Sequence, residues 1–317
     1  MQSAKKVVIT TVVENYIDML IPNTEMVKRP GLAYHFDLRN KRILAENGIS
    51  MLVDVYLGEK RTRILFDTGL TETVLLHNMS ALNILPNEID HAVLSHGHPD
   101  HYGGLKGLLK ARDYPLVVTS HPDAFLVRHV NSAGGLVIPY FNYDFRLEEL
   151  EAAGGRFILT RDPMVICPAA MTTGEIPLNV SFEPPGPPMG TPSAQWCLRD
   201  GRIVEDKTLD DLALVINLEG KGLVVVCGCS HAGIINTIRR AMEVSGVNKL
   251  YALFGGFHLG FPGIPFEKTI STIDELKAMN PKVVSPMHCS GFNTLAFVKK
   301  EMPDAFLLNT TGAEITL

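Results

Sequence analysis

The residues with the most chemistry per position lie in one stretch, Leu94-Ser95-His96-Gly97-His98-Pro99-Asp100-His101-Tyr102-Gly103-Gly104. Three imidazoles and a carboxylate fall within six residues. A neutral imidazole offers a lone pair at ordinary pH, which makes His the commonest metal ligand. His96 and His98, two apart on an extended loop, share a face. Asp100 and His101 fall where a helix begins and can face a second ion. Gly97 lets the chain turn tightly without a Cβ. Surface histidines with Asp100 as an N-cap would be the plain alternative. An apolar run precedes the motif and a helical pattern follows it, the strand–loop–helix context that favours a metal loop.

Later His-bearing loops repeat this arrangement: Gly228-Cys229-Ser230-His231-Ala232-Gly233, Gly255-Gly256-Phe257-His258-Leu259 and Met287-His288-Cys289. His258 reads as a substrate-facing group or as a ligand, ahead of a packed structural His. Cys227 and Cys229 share one strand face, where a lone Cys-x-Cys is more often packing than ligation. Cys289 falls at the edge of a site through its neighbour His288. The helix start near Gly233–Ile234 offers free N–H groups that favour an anion, a weak pointer to a phosphate-bearing substrate. His35, His77, His91, His121 and His129 read as structural or surface residues.

The spacing His-x-His-x-Asp-His, here His96, His98, Asp100 and His101, resembles the signature of the metallo-β-lactamase superfamily. Phe66-Asp67-Thr68-Gly69 resembles its second landmark, and the later loops look similar to one branch, related to the archaeal dihydropterin–aminobenzene ribotide phosphate synthases. The resemblance implies a metallo-β-lactamase-like αββα sandwich, two mixed sheets flanked by helices. It implies His96 and His98 on a first metal, and Asp100, His101 and His288 on a second. Asp67 would hold a His ring from behind, and Asp100 would orient the nucleophile.

The sequence departs from that pattern in two places. Most members carry a bridging Asp after the strand that here ends in Val226-Cys227-Gly228-Cys229, whereas this chain has Ser230-His231. The nearest acids, Asp210 and Asp211, read as lying at the opposite end of that hairpin. His231 is therefore expected to take a ligand role. The usual third His of the first site has no plain counterpart; Thr172-Thr173-Gly174-Glu175 occupies the region, and Glu175 is a candidate substitute.

The elements that must position these groups alternate β-branched runs with amphipathic segments. Strands are expected at 7–13, 49–57, 62–66, 91–95, 116–119 and 156–160. Helices are expected at 73–85, 102–111 and 146–153, with Pro86 and Gly154-Gly155 as stops. After residue 210 the order repeats: strands at 212–218, 223–226, 250–254 and 282–286, helices at 233–244, 269–279 and 294–300, then two terminal strands. Between the halves, Pro184-Pro185-Gly186-Pro187-Pro188 can form neither ladder nor helix. The stretch 179–210 is expected to be an insertion or lid on a single domain over 1–317.

The chain has 317 residues, long enough to bury roughly three quarters of its unfolded surface without disulfide staples. Net charge is -5 and no basic block occurs, which argues against a nucleic-acid surface. No apolar run spans a bilayer, and Val7–Val13 reads as a first strand rather than a signal peptide. Five cysteines, an odd number, fit reduced thiols in a cytoplasm. No membrane partner is expected, and a homo-oligomer stays open.

An N/O-rich site suits one or two divalent ions per chain, zinc first, with Mn, Fe or Mg as alternatives. Such an ion lowers the pKa of bound water from about 15.7 towards 7. The leading expectation is a metal-dependent hydrolase, using metal-bound hydroxide on an anionic, phosphorylated or ester-like small molecule. The branch resemblance supplies an alternative, a transferase condensing a dihydropterin diphosphate with an aminobenzene ribotide phosphate and releasing pyrophosphate. A third reading is a non-catalytic metal-binding or sensing protein.

Overall fold

The apolar runs become strands buried on both faces. Ser50–Leu57 has its first six residues buried and pairs antiparallel with both Lys6–Val13 and Lys60–Phe66. Cover on both faces favours continuous apolar runs over alternation. The computed structural model describes residues 1–131, 137–139, 145–183, 195–261 and 263–317.

Two large sheets result among the described residues. The first has eight strands, in the order Val27–Lys28, Glu314–Thr316, Lys6–Val13, Ser50–Leu57, Lys60–Phe66, His91–Val93, Leu116–Ser120 and Gly155–Leu159. The second has six: Val165–Cys167, Ala170–Thr172, Ala213–Leu218, Gly222–Cys227, Leu250–Gly256 and Val283–Met287. The sheets face each other across one core, where Ile9, Val53 and Phe66 join Leu214, Val226 and Phe254. Leu75, Leu108 and Leu150 pack the helices Glu72–Ala81, Leu105–Lys110 and Leu147–Ala152 on the outside of the first sheet. Ile238, Ile273 and Val298 do the same for Ile234–Ser245, Phe266–Met279 and Gly291–Glu301 on the second. The layers run helix, sheet, sheet, helix, the αββα sandwich implied by the resemblance. Each fully buried Leu or Phe contributes about 1.5–3 kcal/mol, and all five cysteines are free thiols.

Three expected elements differ. The helix read over 73–85 spans Glu72–Ala81 and ends before Asn83, whose left-handed backbone (φ 56°) cannot continue it. The helix read over 102–111 divides into Pro99–Tyr102 and Leu105–Lys110. At the break the chain presses on the strand exit behind it, and a Cβ on Gly103 would sit 1.8 Å from the Leu70 carbonyl oxygen. Of the two terminal strands, one forms (Glu314–Thr316), and the other is a single bridge between Val284 and Phe306.

The Pro-rich run at 184–194 lies outside the described residues, so the lid reading there is untouched by the structure. Beyond it, Gln195–Arg199 and Arg202–Glu205 form a hairpin that pairs with Arg128–Asn131, part of a third, four-stranded sheet. Its turn, Asp200-Gly201, has both residues at positive φ (51° and 73°). Asp-Gly is the strongest short-range hairpin signal, and it was there to be read. Among the described residues no helix is long and apolar enough to cross a membrane.

Candidate metal centre

Strand direction assembles the site. Gly222–Cys227, Leu250–Gly256 and Val283–Met287 run parallel, so their C-terminal ends share one edge, as ligand-binding ends of parallel strands do. His231, His258 and His288 follow those ends. The opposite sheet sends its His96–His101 loop there from the end of His91–Val93.

Two groups of donors converge. His96, His98 and His231 each bring a ligand atom within 4.8 Å of the others, and Asp100, His101 and His288 do the same. Cys229 lies between the groups, sharing such a cluster with His96 and His101, and another with His288 and Cys289. Its Sγ is 3.1 Å from His101 Nε2. His231 thus joins the first group, the place considered for Glu175. Glu175 instead lies 3.2 Å from His121 Nε2 and accepts from Arg161 at 2.9 Å. Cys227 donates to the Phe254 carbonyl and belongs to the core. His258 falls in neither donor group; its ring lies 4.2 Å from that of His231 and stacks on Phe261 at 4.4 Å.

The His96–His101 loop is clamped from behind. Asp67, fully buried, accepts from the Ser95 amide at 2.7 Å and from the Ser95 hydroxyl at 2.7 Å. Its other contact, His101 Nδ1 at 2.7 Å, fixes that ring so that Nε2 faces the donor cluster. Gly97 runs against the chain at Ala124, where a Cβ would meet the carbonyl oxygen at 1.9 Å. Its N–H is donated to Asp210 at 2.7 Å, and its carbonyl accepts from Arg128 at 3.1 Å. Arg128 also donates to Asp206 and Asp210, both at 2.6 Å, with all three side chains buried.

The reading of Asp210 and Asp211 at the far end of the hairpin is corrected. Ala213 pairs antiparallel with Cys227, so the residues before Ala213 lie at the same end as Cys229. Asp211 accepts there from the Ala232 N–H at 2.9 Å. The anion site expected at Gly233–Ile234 is also corrected, because a side chain already fills it. Glu183 accepts from Ile235 N–H at 3.0 Å and Asn236 N–H at 2.9 Å.

His288 is held by the end of the first strand. Its N–H donates to Glu14 at 3.0 Å, its Nδ1 lies 3.2 Å from Asn15 Oδ1, and its carbonyl accepts from Asn15 Nδ2 at 3.3 Å. That leaves Nε2 facing Asp100 at 3.0 Å. Asp67, Ser230, His258 and His288 all have left-handed backbone (φ 48–58°). Such strain in non-glycine residues persists where the surroundings over-determine it and clusters at functional sites. Arg128, Asp206, Glu14, Asn15 and Glu183 belong to no motif. The one available signal was a polar pair, Glu14-Asn15, ending the buried run Val12-Val13.

The donor chemistry fits a divalent metal. Burial holds His96 and His231 well below the usual imidazole range and His98 at about 3. All three are neutral at neutral pH, with lone pairs to give. His231 Nε2 is buried without a hydrogen-bond partner, a costly state for a polar atom unless it is coordinated. Burial would raise Asp100, but His101 and His288 outweigh it and hold the carboxylate ionised. Burial would lower His101, but Asp67 and Asp100 turn the balance upward. Burial pushes the Cys229 thiol well up; a bound cation would reverse that, because coordination deprotonates a thiol.

An αββα sandwich with two groups of possible metal donors at its strand ends is the arrangement of the metallo-β-lactamase fold. The chain belongs to the metallo-beta-lactamase superfamily, which residues 49–160 match. Within it, the chain falls with a relative from Methanocaldococcus jannaschii, 7,8-dihydropterin-6-methyl-4-(beta-D-ribofuranosyl)-aminobenzene-5'-phosphate synthase. The two are 35% identical over 290 residues, 91% of this chain and 96% of the relative. An uncharacterized protein of the same organism is 29% identical over 255 residues, 80% of this chain and 88% of that one. Among solved structures, Tm1679, a metal-dependent hydrolase of the beta-lactamase superfamily, aligns with a TM-score of 0.72. That alignment covers 98% of both chains at 22% identity, a likeness of fold.

Proposed function

We propose that this protein is a metal-dependent transferase that joins a dihydropterin diphosphate to an aminobenzene ribotide phosphate. The observation that carries the reading is the synthase relative, matched over 96% of its length at 35% identity. The hydrolase put first by the metal motif alone has only superfamily-wide support. In the transfer, the aniline nitrogen bonds to the methylene carbon on the pterin ring and the carbon–oxygen bond to the diphosphate breaks. Pyrophosphate leaves with the electron pair, and one amine proton is released.

When bound, one or two divalent ions, zinc first, would neutralise negative charge building on the departing diphosphate. His96, His98 and His231 would hold the first, and Asp100, His101 and His288 the second, with Cys229 between them. Asp67, against His101 Nδ1, would hold that ring with Nε2 free to ligate. Half-buried Lys268 adds positive charge that reaches both His258 and Glu183. His258 faces substrate on this reading. The chain would act as one domain on anionic small molecules in the cytoplasm, without nucleic-acid or membrane partners.

The test is to incubate metal-loaded protein with both substrates and follow coupled product and pyrophosphate together. Equal yields of the two, lost on chelation and in Asp100→Ala, are expected. Cleavage of the diphosphate or of simple phosphoesters with no coupled product would overturn the reading in favour of a hydrolase. Stoichiometric metal with no turnover of any kind would favour the sensing protein.

A further inference from the structure

Beside the donor cluster lies an aromatic cleft that the metal chemistry does not use. It has a volume of about 430 Å³, within the roughly 300–1,000 Å³ of small-molecule sites. Three of its lining residues, Phe261, Phe266 and Phe292, leave 46%, 50% and 72% of their surface exposed. Large aromatic side chains gathered in the open mark a binding surface rather than core. The floor is bare backbone, since Gly260 and Gly291 pass so closely that a Cβ on either would lie within 2.8 Å of the other chain segment. Asn293 and Thr294 add polar groups at the start of the helix Gly291–Glu301.

The cleft adjoins the candidate metal centre through a run of ring contacts. Phe261 stacks on His258, and His258 lies 4.2 Å from His231, one ring after another. The other wall begins one residue after Cys289-Ser290, and Gly260 N–H donates to the Cys289 carbonyl at 3.2 Å. None of the described lining residues is charged. A phosphate therefore meets no charged side chain on the described lining, whereas a flat neutral ring has aromatic faces to stack on and a few polar groups to read its edge.

We propose that this cleft is the subsite for the dihydropterin ring, holding it so that its 6-methylene group points toward the His258 end and the donor cluster. This rests on the transferase reading, and it assigns the ring to the Phe261–Phe292 cleft rather than to the space between the donor groups. The uncharged lining favours the neutral pterin ring over the ribotide phosphate, and the pterin's own diphosphate would lie outside the cleft, toward the donor cluster. Gly260 and Gly291 serve the subsite by leaving its floor free of side chains. Phe292, at the rim, sets how tightly the ring is held while contributing little to the fold.

The test is a fluorescence titration of the metal-loaded full chain with 6-hydroxymethyl-7,8-dihydropterin, and separately with 4-aminobenzoate as the benzene-ring probe. Wild type is compared with Phe292→Ala, Phe261→Ala and the ring-keeping Phe292→Tyr. Loss of one stacking partner is expected to weaken pterin binding about tenfold, with Phe292→Tyr close to wild type, metal content unchanged and 4-aminobenzoate indifferent. In turnover the Ala variants should raise KM for the pterin diphosphate far more than they lower kcat. Wild-type coupling with unaltered pterin affinity in both Ala variants overturns the cleft and leaves the transferase standing. Weakened 4-aminobenzoate binding with pterin unaffected overturns the assignment of ring to cleft. A wild type that neither binds pterin nor couples the substrates overturns both readings.

Discussion

The two halves of the molecule present their candidate donor side chains in opposite ways. The N-terminal half delivers His96, His98, Asp100 and His101 from one loop, and braces it with compensated charge. Arg128 sits between Asp206 and Asp210, and Asp67 takes His101. The C-terminal half delivers His231, His258 and His288 from three loops, braced by buried carboxyls that accept backbone N–H groups. Asp211 holds Ala232, Glu183 holds Ile235 and Asn236, and Glu14 holds His288. Burial raises all three of these carboxyls, Glu14 to about 8 and Asp211 to about 7. One half is thus held by ion pairs and the other by carboxyls poised to titrate. The first depends on a local spacing, the second on strand register across the sheet.

Removing a donor from the N-terminal loop should have the largest effect. His98→Ala is expected to lower affinity for the first ion on the order of 10³-fold, one ligand's share of a binding energy near 10–16 kcal/mol. Activity should fall at least as far. Metal stoichiometry by plasma mass spectrometry on dialysed protein reads it directly, and metal content equal to wild type would break the pairing of His98 with His96 and His231. Next comes the brace. Arg128→Met leaves Asp206 and Asp210 buried without their cation, a loss expected to cost about 3–5 kcal/mol of stability. Denaturant unfolding measures it, with Arg128→Lys as the partial rescue. A change below about 1 kcal/mol would mean the loop is held by backbone contacts alone.

This contrast also explains how much could be read beforehand. The His96–His101 loop was legible because its close spacing carries its own geometry, and Asp67 because Phe66-Asp67-Thr68-Gly69 resembles a family landmark. The αββα layering followed from two runs of alternating strands and helices. The role of His231 was half-legible: the loop was visible, but its grouping with His96 and His98 depends on which strands run parallel. Asp210 reads as remote because its distance along the chain from Cys229 hides that Ala213 pairs with Cys227 once the hairpin forms. Glu183 filling the helix start, and Arg128 reaching Gly97 from a third sheet, join residues 52 and 31 apart. No local pattern encodes such contacts.

Titration separates the two braces. Asp211 has a folded pKa of about 7, raised by burial above its ordinary 3.8. The folded state therefore holds this proton more tightly than the unfolded one. Its contribution is fully present below pH 3.8 and is lost as pH climbs through 7. Metal-free wild type should lose on the order of 2–4 kcal/mol from this group between pH 4 and 8. Asp211→Asn keeps an acceptor for Ala232 N–H and removes the titration, so its stability should fall less over that range. Identical slopes would show that the C-terminal loops do not rest on a protonated carboxyl, and the contrast between the halves would fail at that point.

The finest test concerns Asn15, because it asks whether the C-terminal half has anything equivalent to Asp67. Asp67 fixes the His101 ring through Nδ1, and Asn15 meets His288 at the same atom, with a neutral oxygen in place of a carboxylate. Partners of this kind are worth about 10- to 100-fold in metal affinity, and a neutral amide should fall at the low end. Asn15→Ala is expected to weaken the second ion about tenfold and leave the first unchanged, whereas Asn15→Asp, which restores the acceptor with added charge, should match or exceed wild type. Stepwise competition with a chromophoric chelator resolves the two ions. If Asn15→Ala binds both as tightly as wild type, His288 is positioned by its left-handed backbone and the Glu14 contact alone. The two halves would then differ not only in the charge of their braces but in whether the ligand ring is braced at all.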